Sequence, residues 1–160
     1  MRLLILLCLT ATLAAGCSRF AHYDGPQVTR IAVHKGERMM FLMHHEEVLA
    51  AYQIELGFAP EGNKFVEGDG RTPEGRYYID RENPNSDYYL SLGISYPNEQ
   101  DRAEAAELGQ SPGGDIFIHG TTRPFRNIDD WTAGCIAVTN REMRQIYAMV
   151  GLGTVIDIYP

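Results

Sequence analysis

The chain is 160 residues long, 44% hydrophobic, and carries a formal net charge of −7 at pH 7. This length is enough for one domain with a hydrophobic core and too short for two. The acidic balance argues against nucleic acid or an anionic lipid surface as the partner, because both would repel the protein.

The first 16 residues predict an export signal. Arg2 gives a positive start, Leu3–Leu13 is apolar, and three small residues lead to Cys17. The stretch is too short and wrongly flanked for a transmembrane helix. Its ending "LAAGC" also resembles the lipobox of bacterial lipoproteins, which implies that Cys17 is lipidated and becomes the mature N-terminus. An ordinary signal peptide cleaved near the same place is the alternative.

Residues 17–27 are polar and predict a tether that precedes a single domain at residues 28–160. The segments "VTRIAVHK", "RMMFLMH" and "EVLAAYQIEL" come first in that domain. Their alternation and apolar runs predict three strands of an antiparallel meander, with a turn at Glu46 and Glu47.

Strands outnumber helices in the rest of the chain. A stretch dense in glycine and proline predicts loops, and the spacing of Thr139 and Glu142 predicts the capping box of a helix. The further predicted elements are strands over Arg76–Asp80, Tyr88–Leu92, Asp115–His119 and "TVIDIY", and helices over Gln100–Leu108 and from Thr139 through Val150. We therefore predict a mainly β sandwich or barrel with two short helices.

Cysteine usage singles out one thiol. Cys8 leaves with the signal and Cys17 would carry lipid, so Cys135 is the only cysteine in the predicted domain. An exported compartment favours disulfides, and a thiol without a partner there indicates a reactive group. The alternative is a buried cysteine that acts as a small hydrophobic residue.

A histidine stands sixteen positions before this cysteine, at the end of an apolar run. A cysteine nucleophile needs a group that takes its proton, and His119 can do so if an acceptor such as the Gly120 carbonyl fixes its tautomer. Gly134 lets backbone approach a substrate closely, and the amides of residues 133–135 could then face a developing oxyanion. The pattern predicts a catalytic pair formed by His119 and Cys135.

The motifs "IFIHGT" and "TAGCIAVTN", with their spacing, resemble the active-site signature of the YkuD-type L,D-transpeptidases. That signature is a His-Gly pair followed by Ser/Thr-x-Gly-Cys. The likeness extends through "VEGDGRTPEGRYYI" and "LGISYPN" and covers nearly all of Val28–Tyr159.

The resemblance implies roles for individual residues. Cys135 would be the nucleophile, His119 its general base, and Gly120 the residue whose carbonyl orients the imidazole. The Ser/Thr position is filled by Thr132, and the oxyanion hole would consist of the amides of Ala133, Gly134 and Cys135.

The resemblance also implies an activity. The thiol would attack a peptidoglycan stem tetrapeptide at the carbonyl of its third, diamino-acid residue and release D-alanine. An amine on a second stem would then give a crosslink, an amine on a protein would give anchoring, and water would give trimming. No metal or organic cofactor is implied.

This sequence departs from the family pattern at two places. Ala133 stands where many members have histidine, and Ile136 and Ala137 stand where many have an arginine suited to a substrate carboxylate. Arg123 and Arg126, between the catalytic pair, are candidates for the missing clamp, with a solvated loop as the alternative.

Two aromatic residues and a pair of histidines are further candidates for a site. Trp131 and Tyr96 could line the substrate cleft, although such aromatics are often packing residues. His44 and His45 suggest a metal site but lack the His-Glu-x-x-His spacing, and adjacent strand residues face opposite ways. We predict no metal and place these histidines at a turn.

Three functions remain open. The first is an L,D-transpeptidase anchored in the periplasm by its N-terminal lipid, at the outer membrane because Ser18 replaces the aspartate of inner-membrane lipoproteins. The second is a cysteine hydrolase of peptidoglycan on the same scaffold. The third is a non-catalytic wall-binding lipoprotein. The expected partners are peptidoglycan stem peptides and the membrane, with a wall-anchored protein as a further acceptor and no nucleic acid.

Overall fold

The computed structural model describes residues 19–160 and shows one curled sheet of eight strands with two helices. The predicted signal and Cys17 lie outside the described residues. The strands are β1 (Arg30–His34), β2 (Met39–His44), β3 (Glu47–Gln53), β4 (Gly75–Asn83), β5 (Ser91–Ile94), β6 (Phe117–His119), β7 (Ile136–Ala137) and β8 (Val155–Tyr159). The helices are α1 (Glu99–Glu107) and α2 (Asn140–Met149). The mainly β prediction with two short helices is confirmed.

The sheet has the order β3-β2-β1-β8-β4-β5-β6-β7 and curls until its two ends approach. β4 pairs with β8 through its first residues and with β5 through its last, and its register shifts between Ile79 and Arg81. Such an irregularity bends a strand and increases its twist. Beyond β3, the Glu55 amide donates to the Ala137 carbonyl at 2.9 Å, and the Ala137 amide donates back to Glu55 at 2.8 Å. These bonds join the segment just after β3 to β7. Because β3 and β7 are the two ends of the sheet, the sheet takes a barrel-like shape.

The core lies inside this curl. Inward residues of the meander and of the central strands are almost inaccessible, with Ile31, Leu42, Leu92 and Ile156 all at 0% exposure. α2 begins with the predicted capping box between Thr139 and Glu142 and covers one side of the core through its buried residues. The helix thereby holds the segment that follows β7 in place.

The bounds of two predicted strands need correction. β5 lies at Ser91–Ile94 rather than at Tyr88–Leu92, because Tyr89 adopts φ 79° and forms a turn. β4 is longer than predicted, and β7 was not predicted. The described part of the predicted tether, residues 19–27, packs on the domain: Phe20 lies 6.1 Å from the Tyr147 ring, and Arg19 donates to the Tyr89 carbonyl.

Among residues 19–160, no helix has the length and apolar character needed to cross a membrane.

Candidate active site

The ladder between β6 and β7 brings His119 and Cys135 to one face of the sheet. The two strands are parallel, with Ile118 opposite Ile136. Both isoleucines are fully buried in the core. Successive strand residues alternate between faces. His119 follows Ile118 and Cys135 precedes Ile136, so both side chains project from the face opposite the two isoleucines. The sequence places them sixteen residues apart, and the ladder makes them neighbours.

Hydrogen bonding to backbone fixes the tautomer of His119. Its Nδ1 lies 2.7 Å from the Gly120 carbonyl oxygen, which can only accept, so Nδ1 carries the proton and Nε2 is left as the acceptor. Burial lowers the pKa of His119, and the Gly120 contact opposes that change only in part. The imidazole is therefore a neutral base at pH 7.

Aromatic rings surround the same imidazole. The Tyr88 ring lies 4.6 Å from the His119 ring, and the Trp131 ring lies 5.6 Å from it at an interplanar angle of 62°. Glycine is required at position 120, because an added Cβ would lie 2.8 Å from the backbone carbonyl oxygen of Tyr88. This close packing explains the His-Gly pair in the sequence.

The Cys135 thiol is free and half-buried. Its Sγ donates to the Asp115 carbonyl at 3.5 Å, and no hydrogen bond joins it to His119 within the described chain. Burial raises the pKa of the Cys135 thiol, while the Phe117 amide and the Lys64 charge lower it by smaller amounts. The resting pair is thus a thiol and a neutral imidazole.

Thr132 shapes the loop that precedes this thiol. Its Oγ1 donates to the Cys135 carbonyl at 2.7 Å and accepts the Gly134 amide at 3.1 Å. Gly134 has φ 129°, and a Cβ there would lie 2.6 Å from the Arg71 carbonyl oxygen. The glycine is therefore needed both for its backbone conformation and for the close approach.

The hydrogen bond from the Gly134 amide to Thr132 Oγ1 changes the expected set of oxyanion donors. The Gly134 amide is engaged by Thr132, so it does not join the other two as a free donor. The amides of Ala133 and Cys135 have no acceptor among residues 19–160. Two of the three amides named from the sequence can therefore receive a ligand atom.

The structure separates the other predicted substrate residues into two groups. Thr132 and Tyr96 are buried, and the Tyr96 hydroxyl donates to the Pro112 carbonyl at 2.9 Å, so both stabilise loops. Trp131 and Arg126 line a cleft of about 520 Å³ beside the site. Arg123 lies in the same loop and does not line that cleft.

Two ion pairs that support the site were missed by the sequence reasoning. Lys64 is buried and bonds Asp69 at 2.9 Å, which shapes the loop whose Arg71 carbonyl meets the Cys135 segment. Arg38 bonds Asp130, the residue before Trp131, with a closest distance of 2.7 Å. Lys64 and Asp69 belong to one loop, whereas the partners of the Arg38 pair are 92 residues apart and come together only in the folded chain.

No group of three or more histidine, cysteine, aspartate or glutamate side chains in the described chain is arranged to hold a metal ion. His44 ends β2 and His45 lies in the turn that follows, with φ 52°, as the sequence predicted.

Comparison with known proteins assigns the chain to a family. The family model described as YkuD, L,D-transpeptidase catalytic domain, matches residues 28–158, and the chain belongs to that family. Among curated proteins it is similar to YafK of Escherichia coli K12, whose name assigns it to the L,D-transpeptidases. The two are 32% identical over 126 residues, which are 75% of this chain and 46% of YafK. The chain thus spans about half the length of the curated relatives it matches.

Solved structures show the same fold. A variant of the helical cell shape determining protein Pgp2 from Campylobacter jejuni superposes with a TM-score of 0.65 and 25% identity, covering 85% of this chain and 48% of that one. Bd1075 of Bdellovibrio bacteriovorus gives a TM-score of 0.60 at 21% identity, over 88% of this chain and 50% of its own. The second likeness is one of fold alone.

Proposed function

We propose that the protein is a peptidoglycan L,D-transpeptidase that forms a thioester on Cys135. The observation that carries this proposal is the pairing, in a domain of this family, of a free thiol with an imidazole whose Nε2 is left as an acceptor. A thiol becomes a strong nucleophile as its proton leaves, and a base with a pKa below 7 can accept that proton during attack.

The first half of the proposed reaction acylates the enzyme. Cys135 turns from the Asp115 carbonyl, passes its proton to His119 Nε2, and attacks the carbonyl of the third residue of a stem tetrapeptide. The free amides of Ala133 and Cys135 are suited to stabilise the oxyanion. His119 then protonates the departing amine, and D-alanine leaves.

The second half transfers the acyl group. An amine from a second stem, or from a protein, gives its proton to His119 and attacks the thioester, and the thiol is restored. Water in place of the amine would make the protein a hydrolase on the same site. The choice depends on which nucleophile reaches the thioester first.

Mass spectrometry of the enzyme and of its products tests the proposal. We expect wild type incubated with disaccharide-tetrapeptide to form a Cys135 adduct and a dimer lacking one D-alanine. Cys135→Ala should return the substrate unchanged, because no thioester can form. Tripeptide without dimer would support the hydrolase. An unmodified wild-type enzyme, also with sacculi as substrate, would contradict both and support the wall-binding alternative.

We also propose that the reaction takes place in the periplasm, with Cys17 lipidated and the protein held at the outer membrane. The sequence "LAAGC" followed by Ser18 supports this proposal. Intact mass of protein extracted from separated membranes tests it, with Cys17→Ala as the control. An unlipidated protein in the soluble periplasmic fraction would contradict it.

A further inference from the structure

The cleft beside Trp131 is separate from the surroundings of the thiol. It is bounded by residues after β3, by the loop before Trp131 and by the start of α2, and its volume is about 520 Å³. Neither Cys135 nor His119 lines it. Trp131 lines the cleft and also contacts the His119 ring, so the cleft adjoins the base rather than the thiol.

Within the described part of the chain, three residues that line this cleft carry hydrogen-bond donors without partners, and a fourth, Asn140, carries a buried Oδ1 acceptor without one. Trp131 Nε1 is buried and has no acceptor in the described chain. Arg126 and Arg141 also line it, and neither guanidinium forms an ion pair or hydrogen bond with any of residues 19–160. The Glu55 carboxylate is engaged by the Asp130 amide at 2.9 Å. A buried donor without an acceptor is costly, and two arginines favour an anion, so the cleft suits a carboxylate.

The base determines which carboxylate can lie there. His119 protonates the amine that leaves and deprotonates the amine that arrives, so both amines must approach it from the same side. The leaving D-alanine carries a carboxylate on the carbon next to its amine, and so does any α-amino acid that serves as acceptor.

We propose that Arg126 and Arg141, with Trp131 Nε1, bind the α-carboxylate of the amine component, whether leaving D-alanine or incoming acceptor. The inference rests on the proposed function. It adds that the enzyme recognises the amine by the carboxylate next to the nitrogen. It also accounts for Ile136 and Ala137, which are buried in the core and leave no cation directly after the nucleophile.

The exchange of one amine for another balances without a further reactant. The arriving nitrogen attacks the thioester carbonyl, the C–N bond forms and the C–S bond breaks. The amine proton passes to His119 and then to the Cys135 thiolate. No oxidant or reductant is needed, and D-alanine is replaced by the new amine.

Trp131 provides a direct probe of binding, because it is the only tryptophan in the chain. We expect D-alanine to shift the single indole N–H resonance of ¹⁵N-labelled protein in a saturable manner, and D-alaninamide to leave it in place. Arg126→Gln and Arg141→Gln should each weaken this binding about tenfold, the usual scale for losing a charged hydrogen bond. Arg123→Gln, in the same loop but outside the cleft, should bind like wild type. Equal shifts with acid and amide, or no shift, would overturn the proposal.

Reaction rates distinguish the two sources of the carboxylate. Wild type should form the thioester about tenfold faster from disaccharide-tetrapeptide than from the same compound amidated at its terminal D-alanine. It should likewise exchange D-alanine for D-methionine faster than for D-methioninamide. Arg126→Gln and Arg141→Gln should lose both preferences, so that acid and amide react at the same rate. If the variants lose the preference only in acylation, the site binds the leaving D-alanine, and if they lose it only in exchange, the site binds the incoming amine. If the variants keep both preferences, the proposal is overturned. If wild type forms no thioester, the proposed function fails and the indole titration alone decides the site.

Discussion

At the scale of single residues, burial favours the uncharged forms of the proposed catalytic pair, His119 and Cys135. It raises the pKa of the Cys135 thiol and lowers that of the His119 imidazole, and both changes favour the neutral forms. The Gly120 carbonyl holds the ring with Nε2 free. The thiol therefore loses its proton during attack, and a preformed thiolate–imidazolium pair is not the resting state.

This resting state predicts the pH dependence of two reactions. The lowered pKa keeps His119 neutral below its ordinary value of 6.5, so the acid limb of kcat/KM for acylation should lie below pH 6.5. Alkylation by iodoacetamide needs the thiolate, and because the thiol pKa is raised, its rate should rise steadily with pH and still be rising at about pH 8.5, the ordinary thiol pKa. Stopped-flow acylation and timed alkylation across pH measure both.

His119→Gln is the control for these profiles. It should lower the acylation rate by about 10²–10⁴, the usual contribution of a general base, and remove the acid limb. A wild-type alkylation rate that is already high and constant from pH 5 to about pH 8 would show an ion pair and contradict the neutral resting state.

At the scale of elements, the segment from Asp130 to Cys135 is held at both ends. Arg38, in the turn after β1, donates to both Asp130 carboxylate oxygens, and the Leu56 amide donates to one of them at 3.0 Å. Thr132 fixes the other end by bonding the Cys135 carbonyl. Trp131 lies between these anchors and packs on His119, so we expect the Arg38 pair to position the imidazole from a distance.

Arg38→Gln should therefore lower acylation more than it lowers stability. Misplacement of catalytic groups by about 1 Å costs up to about a hundredfold in rate, and we expect a loss between tenfold and a hundredfold. Arg76→Gln is the matched control, because Arg76 also bonds a carboxylate twice, that of Asp157, on the sheet away from the site. Acylation rates and Tm of both variants show whether Arg38 affects the reaction beyond its effect on stability. Equal effects on rate would show that the Arg38 pair is merely structural.

Elements with strong local signals were predicted, and those that depend on distant partners were not. The capping box of α2 and the strands of the meander depend on residues close together in the sequence, and both predictions are confirmed. β7 has only two residues, Ile136 and Ala137, and exists because β6 and Glu55 pair with it. The apolar run Ile136–Val138 is too short to predict a strand without these partners.

The site divides in the same way. His119, Gly120 and Cys135 were named from short motifs. His119 ends β6 and Cys135 directly precedes β7, and their catalytic role stays a prediction. The occupied Gly134 amide and the cleft lined by Arg141 depend on tertiary packing. A single sequence contains these residues but not their contacts.

At the scale of the whole molecule, the two ends of the domain meet in the middle of the sheet. β8 is the last strand in the chain, yet it lies between β1, to which it is parallel, and β4. Its residues Ile156 and Ile158 belong to the core, and Asp157 is buried beneath Arg76. The first and last strands must therefore both be present before the sheet is continuous.

Removing either end of the described chain should have very different results. Deletion of residues 154–160 removes a central strand, exposes the edges of β1 and β4, and should abolish cooperative unfolding. Deletion of residues 19–27 is slightly longer but removes only surface contacts such as that of Phe20 with Tyr147, and should lower Tm while leaving the fold intact. Near-ultraviolet circular dichroism with thermal melting compares the two. A cooperative melt after the C-terminal deletion would show that β1 and β4 close the sheet without β8.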